Sequence, residues 1–422
     1  MNERRSSIVP YIDWFTVGVY FFLVIIGWMN LYSAVYNPVH PSLFDFSQAY
    51  GKQFIWLATA FIMAFLIMLT EASFFSVFAY FLYGIVVFSL LAVRFIGKGI
   101  KGSHSWFRFG SVGIQPAELG SFAINLGLAK YLSNENIKMT KAAVRLRAIA
   151  MIVTPILFIL FEDETGVALT YTSFIFVMYR EGLSGNVLLI GFLTIVLFIL
   201  TLVGSKLVLT CVLIGLAVLA LLLFTRRKRK DITKVGGALL LALLVVWGTD
   251  FAYKHLEAHQ RTRIDVFLGN NNVNKNKEGY NLNQAEIAIG SGGFLGKGYL
   301  QGTQTKYNYV PAHATDFIFC TLCEEWGFVG AAFIVLLYFT LLVRIVFLAE
   351  RQRSAFSRIY GYGVASLFFI HIAVNVGMTQ GLIPVIGIPL PFMSYGGSSL
   401  WSFTILLFIF LRLDANRMQI LK

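Results

Sequence analysis

The fold of this chain is decided by residues 326–348, which read W-G-F-V-G-A-A-F-I-V-L-L-Y-F-T-L-L-V-R-I-V-F-L and contain one charged residue. A helix rises about 1.5 Å per residue, so about 20 apolar residues cross the hydrocarbon core of a bilayer. The chain as a whole has the same character, with 57% hydrophobic and 13% charged residues and a mean hydropathy of +0.73. This composition excludes a soluble globular protein with a polar surface.

Similar apolar runs recur from end to end and predict about twelve membrane-spanning helices. We therefore predict an all-α polytopic membrane protein with one integral-membrane domain over residues 1–422. No signal-peptide cleavage site follows the first run, so we expect that helix to be retained. The clear spans are 14–35, 53–70, 74–95, 186–204, 207–225, 235–255, 326–348, 359–378 and 398–412, and the weaker ones are 114–131, 148–161 and 166–179.

The distribution of basic residues predicts which loops are cytoplasmic, because Lys and Arg in short loops mark that side. In a twelve-span count all the basic clusters fall on one side, which places both termini in the cytoplasm. The loops 97–115, 256–312 and 379–397 and the acidic turn Glu162–Glu164 then lie outside. The basic clusters are Arg4-Arg5, Lys138 to Arg147, Arg226 to Lys230, Arg351 to Arg358, and Arg412 to Lys422.

The outer loops also carry cations, which suggests that an anionic group is bound on that side. Guanidinium and ammonium groups near the membrane surface bind phosphates, although contact with lipid headgroups explains some of these residues equally well. Within the loop 256–312, the pattern over Tyr280 to Ile289 predicts an interfacial helix. Six glycines between Gly290 and Gly302 predict turns and close backbone approach. The cations are Lys98, Lys101, Arg108, Arg261, Arg263, Lys275, Lys277, Lys297 and Lys306.

Ionisable residues inside apolar runs are functional candidates, because a charge at the bilayer centre costs about 2.5–3.5 kcal/mol. Asp316 is the strongest, since we predict a helix beginning near Ala314 with Thr315 as its N-cap, at the outer membrane face. The helix N-terminus favours an ionised carboxylate and therefore a base. Glu118 has two open interpretations, a functional acid or a buried structural partner. The set is Glu118, Asp250, Asp316, Glu324, Glu325 and His371.

Metal and cofactor motifs are weak. Cys320 and Cys323 have C-x-x-C spacing, but buried small hydrophobic residues explain them better than a metal or redox site. There is no P-loop, no dinucleotide fingerprint and no H-E-x-x-H motif, so we expect no organic cofactor and no nucleotide-driven pump. Nothing in the sequence indicates a nucleic-acid partner.

Seven motifs in order along the chain resemble the SEDS family of peptidoglycan glycosyltransferases. The G-T-Q triplet at 302–304 favours the RodA branch, which acts in cell elongation and shape maintenance, over the division-specific FtsW branch. The motifs are K-G-S-H-S-W-F-R-F-G (101–110), Q-P-A-E (115–118), H-Q-R-T-R-I (259–264), G-T-Q-T (302–305), T-D-F-I-F (315–319), E-E-W-G-F-V-G (324–330) and G-I-P-L-P-F-M-S-Y-G-G-S-S (387–399).

The resemblance implies polymerisation of lipid II on the outer side of the inner membrane, with Asp316 in the position of the catalytic Asp. It also implies a class B penicillin-binding protein as partner, together with other elongation-complex proteins and membrane lipids. Mg²⁺ or Mn²⁺ is a further expectation, with no ligand set assigned. The family has ten spans, so we interpret 186–230 as an inserted two-helix hairpin. The substrate-binding candidates are Trp106, Arg108, Glu118, Arg261, Arg263, Lys306, Ser394 and Ser398.

Three departures from the family pattern leave the details of activity open. The family's Gln-Pro-Asp is Glu162–Glu164 here, and its Lys after Q-P-x-E is Ser121, so Glu118 lacks that basic neighbour. The family's Pro-Glu-x-His is Pro311 to Ala314, so His313 is assigned no role.

Two other classes of function fit a helical bundle with buried carboxylates and a face that binds diphosphate. One is a lipid II flippase, and the other is a scaffold that recruits a transpeptidase. A flippase needs access from both leaflets, whereas the polar residues here concentrate on one side, which favours the polymerase.

Overall fold

The computed structural model describes residues 9–36, 42, 45–100, 103–110, 112–135, 137, 139–223, 229–269, 279–307 and 309–418. Within these ranges ten helices are long and apolar enough to cross a membrane, which confirms the polytopic helical fold. The Asn270–Glu278 loop tip, the Arg4-Arg5 pair and the Arg226–Lys228 part of the basic turn lie outside the described residues. The side chain of Asp250 is also outside the description.

The residues group into two compact units. The first comprises Met1–Gly182 and Tyr280–Lys422 and begins with a 3₁₀ turn, Val9–Tyr11. Its helices are α1 (Trp14–Ala34), α2 (Ala49–Leu69), α3 (Ala72–Val77), α4 (Ala79–Ile96), α5 (Pro116–Leu119), α6 (Ser121–Leu132), α7 (Ala142–Phe161), α8 (Thr165–Tyr171), α9 (Phe174–Arg180), α14 (Tyr280–Gly292), α15 (Thr303–Lys306), α16 (Ile318–Glu350), α17 (Ala355–Thr379) and α18 (Gly397–Ala415).

The second unit, Leu183–Gly279, consists of the helices α10 (Gly185–Val203), α11 (Lys206–Leu223), α12 (Arg229–His255) and α13 (Ala258–Phe267). Both α10 and α11 pack against α12. No residue of α11 is fully buried, although several are partly covered, so much of its apolar surface is exposed in the described chain. Such a surface is stable only in lipid or against another apolar helix. That 186–230 is an insertion into a ten-span fold stays a prediction.

Two of the predicted weak spans are broken helix pairs. The span 114–131 consists of α5 and α6, which join at Gly120, where an added Cβ would lie 2.3 Å from Val86 Cγ1 on α4. Only a residue without a Cβ permits that approach. The span 166–179 consists of α8 and α9, which join at Thr172 and Ser173. Each of these two segments consists of two short helices, so its apolar runs are shorter than those of the ten long helices.

The loop 97–115, which is predicted to lie outside the membrane, contains a small antiparallel sheet that the all-α prediction missed. Its strands are β1 (Lys98–Ile100), β2 (Ser103–Phe109) and β3 (Val112–Ile114), in the order β1-β2-β3. The register pairs Phe107 with Ile114 and Arg108 with Gly113. The strands are three to seven residues long, too short for a clear period-two pattern in the sequence.

The predicted start of the helix at Asp316 is wrong. α16 begins at Ile318, and Asp316 lies in the turn before it. The reason is Ala312, whose φ of 57° turns the chain so that its carbonyl accepts hydrogen bonds from the amides of Thr315 and Phe317 at 3.0 and 3.2 Å. The Thr315 hydroxyl also donates to that carbonyl, at 3.3 Å, instead of capping the helix.

The glycine-rich segment approaches the backbone of α16. The helix predicted over Tyr280 to Ile289 is confirmed as α14, and the chain then passes α16 where Gly327, with φ 61°, interrupts that helix. An added Cβ on Gly327 would lie 2.3 Å from the Gly296 nitrogen. The amides of Lys297 and Gly298 donate to the carbonyls of Glu324 and Glu325 at 3.0 and 2.9 Å. The segment therefore supplies donors to helix carbonyls next to the interruption of α16.

Replacement of Gly363 by Ala tests the tightest helix contact of the first unit. An added Cβ would lie 1.8 Å from Oδ1 of Asn125, a fully buried residue whose Nδ2 donates to the Tyr360 carbonyl at 3.0 Å. We expect Gly363→Ala to lower the free energy of unfolding by about 2–3 kcal/mol. Unfolding in mixed detergent micelles measures this change.

The control for this experiment is Gly84→Ala on α4, where nothing lies within 4 Å of the added Cβ. It should change stability by no more than about 1 kcal/mol, in the stabilising direction, because Ala is the better helix former. Equal effects of the two substitutions would contradict the packing of α6 against α17.

Candidate functional site

Asp316 lies in a turn whose backbone is held from two directions. Asn375 on α17 donates from Nδ2 to the Asp316 carbonyl at 2.8 Å and to the Ile388 carbonyl at 2.7 Å. Ser394 donates to the Thr315 carbonyl at 2.7 Å, and the Tyr395 amide donates to the Ala314 carbonyl at 2.9 Å. Three successive carbonyls of the turn are therefore bound, which fixes the Cα of Asp316.

The Asp316 carboxylate faces Gly387. Gly387 has a φ of 82°, and an added Cβ would lie 3.2 Å from Asp316 Oδ2. Both its backbone conformation and the space beside the carboxylate favour a glycine at this position. Gly387 begins the G-I-P-L-P-F-M-S-Y-G-G-S-S segment, so that segment holds Asp316 through Ser394 and Tyr395 and also leaves room for its side chain.

Glu118 is the second carboxylate of the site. Ser398, at the start of α18, forms a side-chain hydrogen bond with Glu118, and the charges of Asp316 and Glu164 act on it. Ser398 also accepts from the Gln115 amide at 3.2 Å. Ser121, the residue in place of the family's Lys, shares a 3.0 Å hydrogen bond with Ser402. Glu118 therefore has a hydroxyl partner and acidic neighbours where the family has a basic residue.

The acidic turn connects this pair of carboxylates to the outer sheet. Ser105 on β2 donates to Glu164 at 2.7 Å, and Glu164 in turn acts on Glu118. Trp106 follows on the same strand, half-buried, with its ring against Gly113 of β3. Arg108 is exposed on β2, and its contact with a ligand stays a prediction.

Lys306 lies at the end of α15, with its ammonium 5.7 Å from the ring centre of Tyr36. The fully buried carboxylate of Glu324 holds α15, since it accepts from the amides of Thr303, Gln304 and Thr305 at 2.8, 2.9 and 3.1 Å. Lys297 forms a 2.7 Å ion pair with the same carboxylate. Glu324 therefore has a structural function, and Lys297 is bound to it.

Arg261 and Arg263 belong to α13 in the second unit. The Arg261 guanidinium donates to two carbonyls before its own helix, that of Leu256 at 2.8 Å, between α12 and α13, and that of Lys254 in the last turn of α12. The proposed contact of these two arginines with substrate stays a prediction.

The structure thus brings together Asp316, Glu118, Ser394 and Ser398 among the predicted site residues. It adds Asn375, Gly387 and Glu164, which sequence reasoning did not select. An uncharged amide in the middle of the otherwise apolar run 359–378 is a signal for Asn375, because a buried amide needs partners. The hydroxyls of Ser394 and Ser398 both bind protein groups, so in this structure they hold backbone and Glu118 in place.

The described residues include no complete set of protein ligands for a divalent cation. Among the described residues there is no group of three or more His, Cys, Asp or Glu side chains that could hold a metal ion. The residues present therefore do not fit a full set of ligands, and no chemical step is assigned to a metal. Mg²⁺ or Mn²⁺ stays a prediction.

Glu162 is a buried acid just beyond the end of α7. The residue is 0% exposed, and neither carboxylate oxygen has a hydrogen-bond partner in the described chain. Burial, with a smaller contribution from the charge of Glu164, raises the pKa of Glu162 to about 9. The side chain is therefore protonated at neutral pH.

Glu162→Gln should remove a pH dependence of stability. With a folded-state pKa of about 9 against an ordinary value of 4.5, the folded chain holds a proton that the unfolded chain releases. The contribution of Glu162 to stability is therefore greatest at low pH and falls as pH rises towards about 9. Melting temperatures in detergent between about pH 5 and pH 9 should fall more steeply for the wild type than for the variant.

The exposed acid Glu286 supplies the control as Glu286→Gln, which should follow the wild type at each pH. Parallel curves for wild type and Glu162→Gln would show that Glu162 is ionised in the folded protein, contrary to its burial.

Curated relatives cover most of the chain. Peptidoglycan glycosyltransferase RodA of Treponema pallidum (strain Nichols) is 29% identical over 94% of this chain and 96% of its own length. Peptidoglycan glycosyltransferase MrdB of Escherichia coli (strain K12) is 31% identical over 76% of this chain and 73% of its own length. Stage V sporulation protein E of Bacillus subtilis (strain 168) is 29% identical over 95% of both.

Solved structures share the fold. A chain from a study of polymerization and crosslinking by a peptidoglycan synthase complex superposes with a TM-score of 0.73 at 25% identity, covering 97% of this chain and 99% of its own length. Rod shape determining protein RodA of Thermus thermophilus superposes with a TM-score of 0.61 at 24% identity, covering 96% and 97%. The second likeness supports the fold alone.

The family model described as FtsW/RodA/SpoVE cell cycle protein matches residues 13–210 and 189–419. Together the two matches include all the helices of the first unit and the residues around Asp316. The chain therefore belongs to the FtsW/RodA/SpoVE family of cell cycle proteins.

Proposed function

We propose that this chain is a peptidoglycan glycosyltransferase that polymerises lipid II into glycan strands during cell elongation. The relatives named peptidoglycan glycosyltransferase RodA and MrdB support the reaction. Their names and the G-T-Q triplet at 302–304 support elongation over the division role of the FtsW branch, to which a 27% identical relative belongs.

In this reaction the 4-hydroxyl of one sugar attacks the anomeric carbon of the MurNAc at the end of another chain. The new C–O bond forms as the bond to undecaprenyl diphosphate breaks, and the hydroxyl proton passes to Asp316. One displacement inverts the anomeric centre, since no covalent sugar intermediate forms. The diphosphate leaves with both electrons of the broken bond and needs positive charge nearby.

The observation that carries this proposal is the fixed backbone of Asp316. A general base must lie within hydrogen-bond reach of the proton it accepts, and misplacement by about 1 Å costs about a hundredfold in rate. The contacts of Asn375 on one side and of Ser394 and Tyr395 on the other hold the turn. The space beside Gly387 then sets where the carboxylate sits.

The proximity of Glu118 to Asp316 supports the same assignment. It lies close enough to Asp316 for the two carboxylates to repel each other, and two neighbouring acids favour one shared or retained proton. We assign the protonated state to Glu118, which has a hydroxyl partner in Ser398, and the base to Asp316. With Glu118 protonated, the pair carries one negative charge. When Asp316 takes up the substrate proton, the pair becomes neutral beside the departing diphosphate.

The remaining candidates serve the substrate. Arg108 and Lys306, on the outer sheet and on α15, are proposed to contact the diphosphates of lipid II, together with Arg261 and Arg263. Trp106 is proposed to pack against a sugar ring. The proposal places Asp316 on the periplasmic side of the inner membrane and both termini in the cytoplasm.

A class B penicillin-binding protein is the proposed partner, together with other elongation-complex proteins. The chain of a peptidoglycan synthase complex with a TM-score of 0.73 supports such an assembly. Polymerisation and crosslinking would then occur side by side on the outer face.

The first experiment compares wild type with Asp316→Asn in lipid II polymerisation by the purified protein and its transpeptidase, with Mg²⁺ or Mn²⁺ and with moenomycin. Asp316→Asn keeps the shape of the side chain and removes the base, so we expect polymerisation to fall by about 10²–10⁴-fold. Glu286→Gln on α14 is the matched control and should keep wild-type activity, because that acid is exposed.

Polymer from the wild type and the control alone would support both the reaction and Asp316. Equal amounts of polymer from Asp316→Asn and from the wild type would exclude Asp316 as the general base. If none of the proteins makes polymer but all move lipid II across vesicles, the chain is a flippase. If none does either, the scaffold interpretation remains.

Asn375→Ala tests whether the backbone of the turn positions the base. It removes both hydrogen bonds from Nδ2, to the carbonyls of Asp316 and Ile388. We expect kcat to fall about tenfold with KM little changed, because the amide touches no substrate in this proposal. A rise in KM with unchanged kcat would instead assign Asn375 to substrate binding.

A further inference from the structure

An apolar groove opens on the surface of the first unit, far along α18 from the site described above. Its volume is about 300 Å³, and α2, α3 and α18 supply most of its walls. Leu66 is 55% exposed and Phe74 is 40% exposed, so the groove is accessible from the side. The walls include Leu66, Thr70, Phe74, Phe75, Ile405 and Ile409.

The guanidinium of Arg412 lies next to the wall of this groove and is bonded to it through Thr70. Ile405, Ile409 and Arg412 follow at i, i+4 and i+7 on α18 and so share one face of the helix. Arg412 is 4% exposed, and its Nε donates to the carbonyl of Thr70, a residue of the groove wall, at 2.6 Å. Its Nη1 is buried without a hydrogen-bond partner among the described residues.

An acid lies beside this guanidinium without pairing with it. Glu71 follows Thr70, its charge acts on Arg412, and its side chain is exposed. No described ion pair joins the two residues or joins Arg412 to another carboxylate. Beside the Thr70 wall of the groove there is therefore a buried positive group and a separate, exposed negative group.

This place is distinct from the catalytic site. Arg412 lies fourteen residues along α18 from Ser398, a separation of about 21 Å along a helix. Ser398 binds Glu118 at the start of α18, so Arg412 lies at the opposite end of this helix.

We propose that the groove binds one phospholipid with an ethanolamine headgroup, its acyl chain against Leu66 and Ile409 and its phosphate on Arg412. The phosphate supplies the acceptor that Nη1 lacks, and an unpaired buried donor is costly. The ammonium of the headgroup then lies towards Glu71. A zwitterion matches these two groups better than an anionic headgroup, which Glu71 repels.

The experiment measures lipid binding to the purified full-length protein in delipidated detergent micelles by native mass spectrometry. The probes have the same acyl chains and carry phosphoethanolamine, phosphoglycerol or no headgroup, as diacylglycerol. We expect phosphatidylethanolamine to bind about tenfold more tightly than diacylglycerol, as charge-assisted hydrogen bonds allow. Phosphatidylglycerol should bind more weakly than phosphatidylethanolamine.

Three variants separate the contacts. Arg412→Gln should bring phosphatidylethanolamine binding down to the level of diacylglycerol. Glu71→Gln should abolish the preference for phosphatidylethanolamine over phosphatidylglycerol and leave both above diacylglycerol. Leu66→Trp fills the groove and should remove bound lipid of every class. Its matched control is Leu69→Trp, which is 64% exposed on the same helix and does not line the groove.

Several results would overturn the proposal. Equal binding of diacylglycerol and phosphatidylethanolamine by the wild type would exclude the headgroup site, without reliance on any variant that could fail to fold. Equal or tighter binding of phosphatidylglycerol would exclude the ethanolamine assignment. Displacement of the lipid by a lower concentration of a polyprenyl phosphate would assign the groove to that class of lipid. Unchanged binding by Leu66→Trp would exclude the groove.

Discussion

The absence of water in the bilayer core is the constraint on which this structure depends. Backbone amides and carbonyls there must find partners within the protein, and a helix supplies them locally. Irregular backbone is tolerated only where other protein groups satisfy it. The turn 311–317 meets this condition because Asn375, Ser394 and Tyr395 bind three of its backbone groups. A non-helical segment can therefore present Asp316 within a helical bundle.

The same constraint governs the charged residues. Asp13 pairs with Arg344, Asp414 accepts from Arg351 and Gln352, and Glu324 pairs with Lys297 and three amides. These acids hold elements that are distant in sequence. Glu118 and Glu162 differ, because the charge of Glu164 acts on both of them and a basic residue, Arg94, acts only on Glu162. The charge of Asp316 also acts on Glu118, which places this acid beside the residue where proton transfer is proposed.

Sequence reasoning could predict the spanning helices, because about 20 apolar residues have few other solutions in lipid. It could also select Asp316 and Glu118, since ionisable residues in apolar runs need a reason, whereas Ser394 and Ser398 are indicated only by the family-like motif 387–399. It could not predict that Asp316 precedes its helix, which depends on the positive φ of Ala312. Nor could it find the hydrogen bonds of Asn375, whose partners are 59 and 13 residues away. The small sheet was missed because β1 and β3 are only three residues long, too short to show the alternation of apolar and polar residues that marks a strand.

The interruption of α16 at Gly327 divides this helix into two parts. The outer part, from Ile318 to Trp326, shares backbone hydrogen bonds with the segment around Gly296 and side-chain bonds with α15 through Glu324. These pieces form one block, and Gly327 is the joint between the block and the rest of the helix. The amides of Phe328 and Val329 donate to the carbonyls of Gly293 and Phe294 at 3.0 and 3.2 Å, so the backbone hydrogen bonds after the joint lead into the glycine-rich segment and not into the preceding turn of α16.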